Sequence, residues 1–279
     1  MGKFKLCLGT SSSFGGLTVP EQIELFRQVG FDGFFTEWYS GAPVEEWAQL
    51  AEEKNMIYQS IHAPFHKVDA LWKDDEAKAE AALAELLECV EACKRAGVPI
   101  MILHVFIGFE DHDPTEIGLK RYGVLVDAAE KAGVKLALEN TEGEEYLYAL
   151  MERYGNRDCV GFCWDTGHEM CYNHSKDLLA DFGSKLICTH INDNLGIKDP
   201  NGKIFWHDDL HLLPFDGIGD WQGVAERLDK WNYGGEMTFE LTTASKPNRH
   251  ENDVYAAMDI KDYISEAYKR AVRLADLRK

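Results

Sequence analysis

The feature that most constrains the fold is a repeated alternation of short apolar runs with longer amphipathic stretches. Three of these stretches end alike, because Gly30, Gly97 and Gly133 each stand directly before an apolar run. Glycine ends a helix at this position since it adopts the left-handed conformation without steric cost. We expect Gly155 and Gly234 to end helices in the same way. Units of this kind, each about 30 to 40 residues long, predict a parallel sheet covered by helices.

Eight apolar runs have the length and composition of β-strands, and helix candidates lie between them. A (β/α)8 barrel needs about 250 residues, which fits this chain better than an open sheet does. We therefore predict an α/β protein with a single domain, a (β/α)8 TIM barrel over residues 1–279. The strand candidates are Lys5–Gly9, Gly33–Trp38, Met56–His62, Ile100–Phe106, Lys135–Glu139, Val160–Trp164, Leu186–Ile191 and Met237–Leu241.

Three further segments have sequence patterns that predict their structure or their role. Thr18 is followed three residues later by Glu21, which predicts a capping box at the start of the first helix. Near the C-terminus we expect one long helix from about Asp253 to Leu277. The irregular stretch from Asn192 to Gly219 is long for a loop between a strand and a helix, and loops of that length are usually functional.

The charge of the chain argues against a partner with a phosphate backbone. Asp and Glu number 48 and Lys and Arg 29, so the formal net charge is −19 at pH 7 and the surface should repel nucleic acid. We expect no membrane association, because no run reaches the roughly 18 apolar residues of a membrane helix. The seven cysteines include no C-x-x-C pair, which predicts reduced thiols and a cytoplasmic protein.

Acidic and histidine side chains stand where the predicted strands end, and a parallel barrel carries its active site at those ends. Taken singly, a histidine on a strand is most often a hydrogen-bonded interior residue. Together these side chains form a set that binds hard or borderline cations, and crowded carboxylates repel one another without a counter-ion. With two residues of the loop after strand seven, the set is His62, His104, Glu139, Asp165, His168, His190, Asp209, His211 and Glu240.

Several motifs resemble the xylose isomerase-like barrel superfamily, which includes sugar isomerases, ketose 3-epimerases, inosose dehydratases and zinc AP endonucleases. The resemblance covers nearly the whole chain in motif order and spacing. It implies one divalent metal ion, either Mn, Mg, Co or Zn, held by Glu139, Asp165, His190 and Glu240. The motifs are Leu-Ala-Leu-Glu-Asn (136–140), Trp-Asp-Thr-Gly-His (164–168), the strand that carries His190, and Phe-Glu (239–240).

The same resemblance implies a metal-dependent isomerase or epimerase of a sugar or sugar derivative. Glu139 and Glu240 are the expected catalytic residues, which would move a proton next to a carbonyl through an enediolate held by the metal. The expected partner is a small-molecule sugar, preferably unphosphorylated because few Lys or Arg residues lie in the mouth loops. A homo-oligomer is left open. The residues expected to bind substrate are His62, His104, His168, Asp209, His211, Trp38 and Trp206.

Other reactions stay open on the same barrel. An inosose-type dehydratase would use the same proton abstraction, followed by loss of hydroxide. A zinc phosphodiesterase of the AP-endonuclease type would need additional ligands, and all nine acidic and histidine residues match its ligand positions, so a second or third metal ion is also open. The acidic composition disfavours this nuclease. One departure from the family is Phe35, which stands where many members carry a glutamate.

Overall fold

A computed structural model describes residues 4–110 and 113–279, and at its centre lies a sheet of eight parallel strands. The strands are β1 (Leu6–Gly9), β2 (Gly33–Glu37), β3 (Ile57–His62), β4 (Ile100–His104), β5 (Lys135–Glu139), β6 (Val160–Asp165), β7 (Leu186–His190) and β8 (Met237–Phe239). Each strand from β1 to β6 pairs with the next, and β1 also pairs with β8. Ile191, just after β7, donates its backbone N–H to the carbonyl of Thr238 in β8 at 2.8 Å, which closes the sheet. The predicted (β/α)8 TIM barrel is therefore confirmed.

The helices pack around the outside of this sheet. The predicted capping box precedes the first of them, because the backbone N–H of Thr18 donates to Glu21 Oε2 at 2.8 Å. No helix in residues 4–110 or 113–279 is both long and apolar enough to cross a membrane. The α-helices of the described chain are α1 (Val19–Val29), α2 (Val44–Lys54), α3 (Glu76–Ala96), α4 (Glu116–Ala132), α5 (Glu144–Tyr154), α6 (Thr166–Cys171), α7 (Leu178–Phe182), α8 (Trp221–Lys230), α9 (Asp253–Ala256) and α10 (Ile260–Ala275).

Three of the five glycines end helices in the left-handed conformation, as predicted. The backbone φ is +123° at Gly30, +67° at Gly97 and +72° at Gly133. Gly155 also directly follows a helix, α5, but its φ of −63° is an ordinary helical value and not the left-handed one. The prediction was wrong for Gly234, because Asn232, with a φ of +51°, takes the left-handed conformation after α8. Asparagine tolerates this conformation better than most residues other than glycine.

The C-terminal segment forms two helices and not the single one predicted. The first, α9, ends at Ala256, and α10 begins at Ile260. Between them, the side chain of Asp259 accepts a hydrogen bond from the backbone N–H of Lys261 at 2.9 Å. This cap satisfies a backbone donor at the start of a new helix, so Asp259 competes with continuation of α9.

Alternation along the strands places apolar side chains on the floor of the barrel and polar side chains at its C-terminal end, here called the mouth. Successive side chains of a strand point to opposite faces, so residues two apart share the barrel interior. The floor is a buried apolar cluster that includes two of the seven cysteines, all of which are buried and free of disulfides. The floor and mouth residues of four consecutive strands are Ile102 and His104, Ala137 and Glu139, Cys163 and Asp165, and Cys188 and His190.

Candidate active site

Four side chains at the mouth form what we call the acidic cluster: Glu139, Asp165, His190 and Glu240. The first three end strands β5, β6 and β7, and Glu240 directly follows β8. One ligand atom from each residue lies within 4.8 Å of those of the other three. His190 Nδ1 is 2.9 Å from Glu139 Oε1 and 3.0 Å from Glu240 Oε2. Three carboxylates thus surround a single imidazole in a buried site.

The charged groups of the acidic cluster shift one another's pKa values. Burial alone would lower the pKa of His190, but the carboxylates of Glu139 and Glu240 raise that pKa well above its usual range. Burial would raise the pKa of Glu139, yet His190 and His104 hold it well below the ordinary value. Burial raises the pKa of Asp165 to about 6. The cluster brings three carboxylates to one imidazole, and crowded carboxylates of this kind favour a bound cation.

A second group of ligands, the His62 cluster, consists of His62, His104 and Glu139. His62 Nε2 is 3.4 Å from Glu139 Oε2, and His104 Nε2 is 3.3 Å from the same oxygen. That oxygen is buried and accepts no hydrogen bond. Burial lowers the pKa of His104 to about 4, so its imidazole is neutral near pH 7 and offers a lone pair.

A third group, the Asp209 cluster, consists of His168, Asp209 and His211. Asp209 Oδ2 is 2.8 Å from His211 Nε2 and 3.7 Å from His168 Nε2. Asp209 Oδ1 is buried without a hydrogen-bond partner. Burial alone would raise the pKa of Asp209, but His211, Lys246 and His168 together hold it well below the ordinary value.

These groups fit divalent metal ions. A buried carboxylate oxygen without a donor costs free energy unless a cation or water satisfies it. Glu139 Oε2 and Asp209 Oδ1 are two such oxygens, and each belongs to a group of side chains with ligand spacing. Carboxylates and neutral imidazoles are the ligands that Zn²⁺ and related ions take in proteins.

Backbone carbonyls fix the orientation of three histidines. The Nδ1 atoms of His62, His168 and His211 lie 2.8, 3.0 and 3.2 Å from the carbonyl oxygens of Ala63, Asn140 and Glu240. A carbonyl only accepts, so each Nδ1 carries the proton and donates it. The Nε2 atom of each ring then faces its cluster, and that of His211 is hydrogen-bonded to Asp209 Oδ2 at 2.8 Å. A backbone partner on the other ring nitrogen is what orients metal-binding histidines.

Two asparagines hold Asp165. Asn140 accepts from the backbone N–H of Asp165 at 2.8 Å and donates to its carbonyl at 2.9 Å, while Asn192 Nδ2 donates to Asp165 Oδ2 at 3.0 Å. The role of Asn192 was missed in the sequence, although it stands two residues after His190. Gly167 makes room for it, because a Cβ at Gly167 would lie 1.9 Å from Asn192 Oδ1.

Phe35 packs against the acidic cluster from inside the barrel. Its ring lies 4.6 Å from the imidazole of His190, with 20° between the two planes. Gly9 is required beside it, because a Cβ there would lie 2.4 Å from the Phe35 ring. The departure from the family pattern at this position therefore supplies an apolar face for His190.

A cavity of about 660 Å³ opens above the clusters, and we call it the mouth cavity. All but one of the residues expected to bind substrate line it. The exception is Trp38, which is 7% exposed and packs in the hydrophobic core. Glu37 faces the cavity, so the side chain of Trp38, next to it in an extended segment, points the other way. Among the lining residues are Glu37, His62, His104, Glu142, His168, Trp206, Asp209, His211, Glu240 and Lys246.

Comparison with known proteins finds a matching protein family and related sequences. A family model described as xylose isomerase-like TIM barrel matches residues 22–261. An uncharacterized protein of Sinorhizobium fredii, y4fM, is 28% identical over an alignment of 300 residues that covers 91% of this chain and 92% of that protein. A probable endonuclease 4 of Mycoplasma capricolum is 26% identical over 171 residues, 54% of this chain and 56% of that protein.

Solved structures with the same fold include two that cover almost the entire chain. An IOLI protein with a bound zinc atom has a TM-score of 0.73 at 20% identity, over 98% of both chains. An L-ribulose 3-epimerase has a TM-score of 0.71 at 16% identity, over 98% of this chain and 95% of the other. At these identities the likeness shows the shared barrel.

Proposed function

Because the chain belongs to the xylose isomerase-like TIM-barrel family, we propose that it is a divalent-metal-dependent isomerase or epimerase of a sugar or sugar derivative. One observation carries the proposal: two carboxylates, Glu139 and Glu240, hold the same buried imidazole, and Glu240 also lines the mouth cavity. The shared fold with an L-ribulose 3-epimerase and with a zinc-containing barrel supports it.

The acidic cluster is the proposed metal site, and Glu139 and Glu240 are the proposed catalytic residues. A divalent ion held there would polarise a substrate carbonyl and acidify the neighbouring C–H. His190 and His211 lower the pKa of Glu240 to about 2 against the opposing effect of burial, so its carboxylate is ionised at neutral pH. His190 occupies Glu240 Oε2, and we therefore assign proton abstraction to Oε1.

Glu139 is the proposed partner for proton return. Its Oε1 is held by His190, whereas its buried Oε2 accepts no hydrogen bond and faces His62 and His104. A proton that leaves through Glu240 and comes back from Glu139 would invert the carbon, which is epimerisation. Return to the neighbouring carbon would give aldose–ketose isomerisation. A positioned carboxylate typically contributes about 10² to 10⁴-fold to such a step.

The rest of the mouth cavity suits a polyol. The histidines of the His62 and Asp209 clusters present ring nitrogens that hydrogen-bond hydroxyl groups. Trp206 is half exposed at the rim, where an indole can stack on the face of a sugar. Among the residues that the structure describes, the cavity lining contains one lysine and no arginine, so an unphosphorylated substrate is preferred.

Solvent-deuterium exchange tests the proposed reaction. The metal-loaded protein, incubated with candidate ketoses in D2O, should place deuterium next to the carbonyl, as measured by NMR and mass spectrometry. Glu240→Gln should abolish the exchange, whereas Glu226→Gln, the same change on the outer face of α8, should preserve it. Exchange that survives in Glu240→Gln would contradict the two-glutamate mechanism. Loss of one water from the product would instead indicate an inosose-type dehydratase.

A zinc phosphodiesterase of the AP-endonuclease type is the second candidate. It is favoured by the nine acidic and histidine residues, which fall into three groups of ligand spacing, and by the partial likeness to a probable endonuclease 4. The net charge of −19 opposes it, since such an enzyme must bind phosphates. The test is cleavage of an abasic DNA duplex by the zinc-loaded protein. Cleavage by the wild type that is lost in Glu139→Gln would support the nuclease.

A further inference from the structure

Lys246 places its ammonium group against the Asp209 cluster. Its Nζ lies 3.3 Å from Asp209 Oδ2 and 5.7 Å from the centre of the Trp206 ring. The lysine lines the mouth cavity, and its side chain is one-quarter exposed. It therefore sits between solvent in the cavity and the carboxylate of the cluster.

In the described part of the chain, no lysine or arginine pairs with the acidic cluster or with the His62 cluster. The ion-pair partners of Glu139 and Glu240 are all histidines, and so is that of Asp165. Across residues 4–110 and 113–279, Lys246 is the one lysine or arginine that pairs with any of the nine ligand-type residues. The position of this charge is thus specific to the Asp209 cluster.

The clusters also differ in negative charge. The acidic cluster contributes three carboxylates, whereas the Asp209 cluster contributes one. A divalent ion there would share Asp209 with the ammonium of Lys246, and two cations within about 5 Å repel each other strongly even in a partly solvated site. The indole of Trp206 faces the same ammonium and favours its present position.

We propose that Lys246 is the resident cation of the Asp209 cluster and that it weakens the binding of a divalent metal ion by His168, Asp209 and His211. The mouth then holds fewer metal ions than its nine ligand-type residues would allow. His168 and His211 stay available for hydrogen bonds with a bound ligand. The inference concerns metal occupancy alone, so it stands or falls independently of the reaction proposed above.

Metal titration of matched variants tests this role. The wild-type protein, Lys246→Met, Lys246→Arg and Lys203→Met are stripped with a chelator and titrated with Zn²⁺ by calorimetry. Bound zinc is then counted by atomic emission after gel filtration. Lys203 is the control, because its ammonium packs on the ring of Phe205 at 5.1 Å. Circular dichroism checks that each variant is folded.

We expect Lys246→Met to bind one more zinc ion per chain than the wild type. If the count is equal, the most weakly bound ion should bind at least about tenfold more tightly than in the wild type. Lys246→Arg keeps the charge and should behave as the wild type, as should Lys203→Met. Adding His168→Ala to Lys246→Met should remove the gained ion, which locates it. The proposal is overturned if Lys246→Met matches the wild type in both count and affinity, or if Lys203→Met gains zinc equally.

Discussion

Phe35 lies face to face with His190, with ring centroids 4.6 Å apart and 20° between the planes. The contact also fixes the identity of Gly9, since a Cβ there would lie 2.4 Å from the Phe35 ring. All three residues are inside the barrel, so the glycine, the phenylalanine and the histidine are one packing unit. A change at Gly9 should therefore reach the candidate metal site through Phe35.

The first prediction concerns this unit. Gly9→Ala should lower the free energy of unfolding by about 1 to 3 kcal/mol, because the added methyl overlaps the Phe35 ring and the core must shift. Phe35→Leu removes the overlapping atoms, so the double variant should be less destabilised than the sum of the two single variants. Denaturant titration of the four proteins measures the coupling. Additive effects would mean that Gly9 and Phe35 do not act on each other.

The second prediction concerns removal of metal. Chelation should lower the melting temperature of the wild-type protein. An ion that binds only the folded state, at a free concentration about 100 times its Kd, stabilises that state by about 2.7 kcal/mol. Glu139 contributes to both the acidic cluster and the His62 cluster. Glu139→Gln should therefore lose most of the metal-dependent shift, while Glu226→Gln keeps it. Calorimetric scans with and without chelator give the comparison. A shift of equal size in Glu139→Gln would place the metal elsewhere.

The third prediction separates two tryptophans. Trp206 is 50% exposed at the rim of the mouth cavity, whereas Trp38 is 7% exposed in the core. Trp206→Ala should raise KM for the sugar and change stability little. Trp38→Ala should cost about 3 to 5 kcal/mol of unfolding free energy, as large deletions in a core do. Steady-state kinetics and denaturant titration of both variants provide the test, and a reversed pattern would contradict these assignments.

The sequence was sufficient to predict the barrel and to collect the residues at its mouth. Parallel strands bring their C-terminal ends together whatever the loops do, so Glu139, Asp165 and His190 had to meet once the strands were placed. This argument depends on strand order and the two-residue period, both of which are local properties of the chain. It needs no knowledge of side-chain packing.

The prediction failed where tertiary geometry decides which way a side chain points. Trp38 was expected at the mouth but packs in the core. Phe35 and Glu37 take the inward-facing positions of this segment, so alternation turns Trp38 outward. Asn192 was missed for a related reason. Its hydrogen bond to Asp165 links the ends of two strands, and the short motifs around each residue do not show it.

Asn192 carries the last prediction. Its side chain donates to Asp165 Oδ2, and the backbone N–H of His168 donates to Oδ1 at 2.6 Å, so both carboxylate oxygens are held in place. Partners that orient a metal ligand are worth about 10 to 100-fold in metal affinity. Asn192→Ala should weaken zinc binding by about that factor. Asn194→Ala should leave zinc binding unchanged, because the Asn194 amide oxygen accepts from Leu195 and Gly196 of its own loop. Competition against a zinc indicator dye measures both variants, and equal affinities would show that Asn192 does not position Asp165.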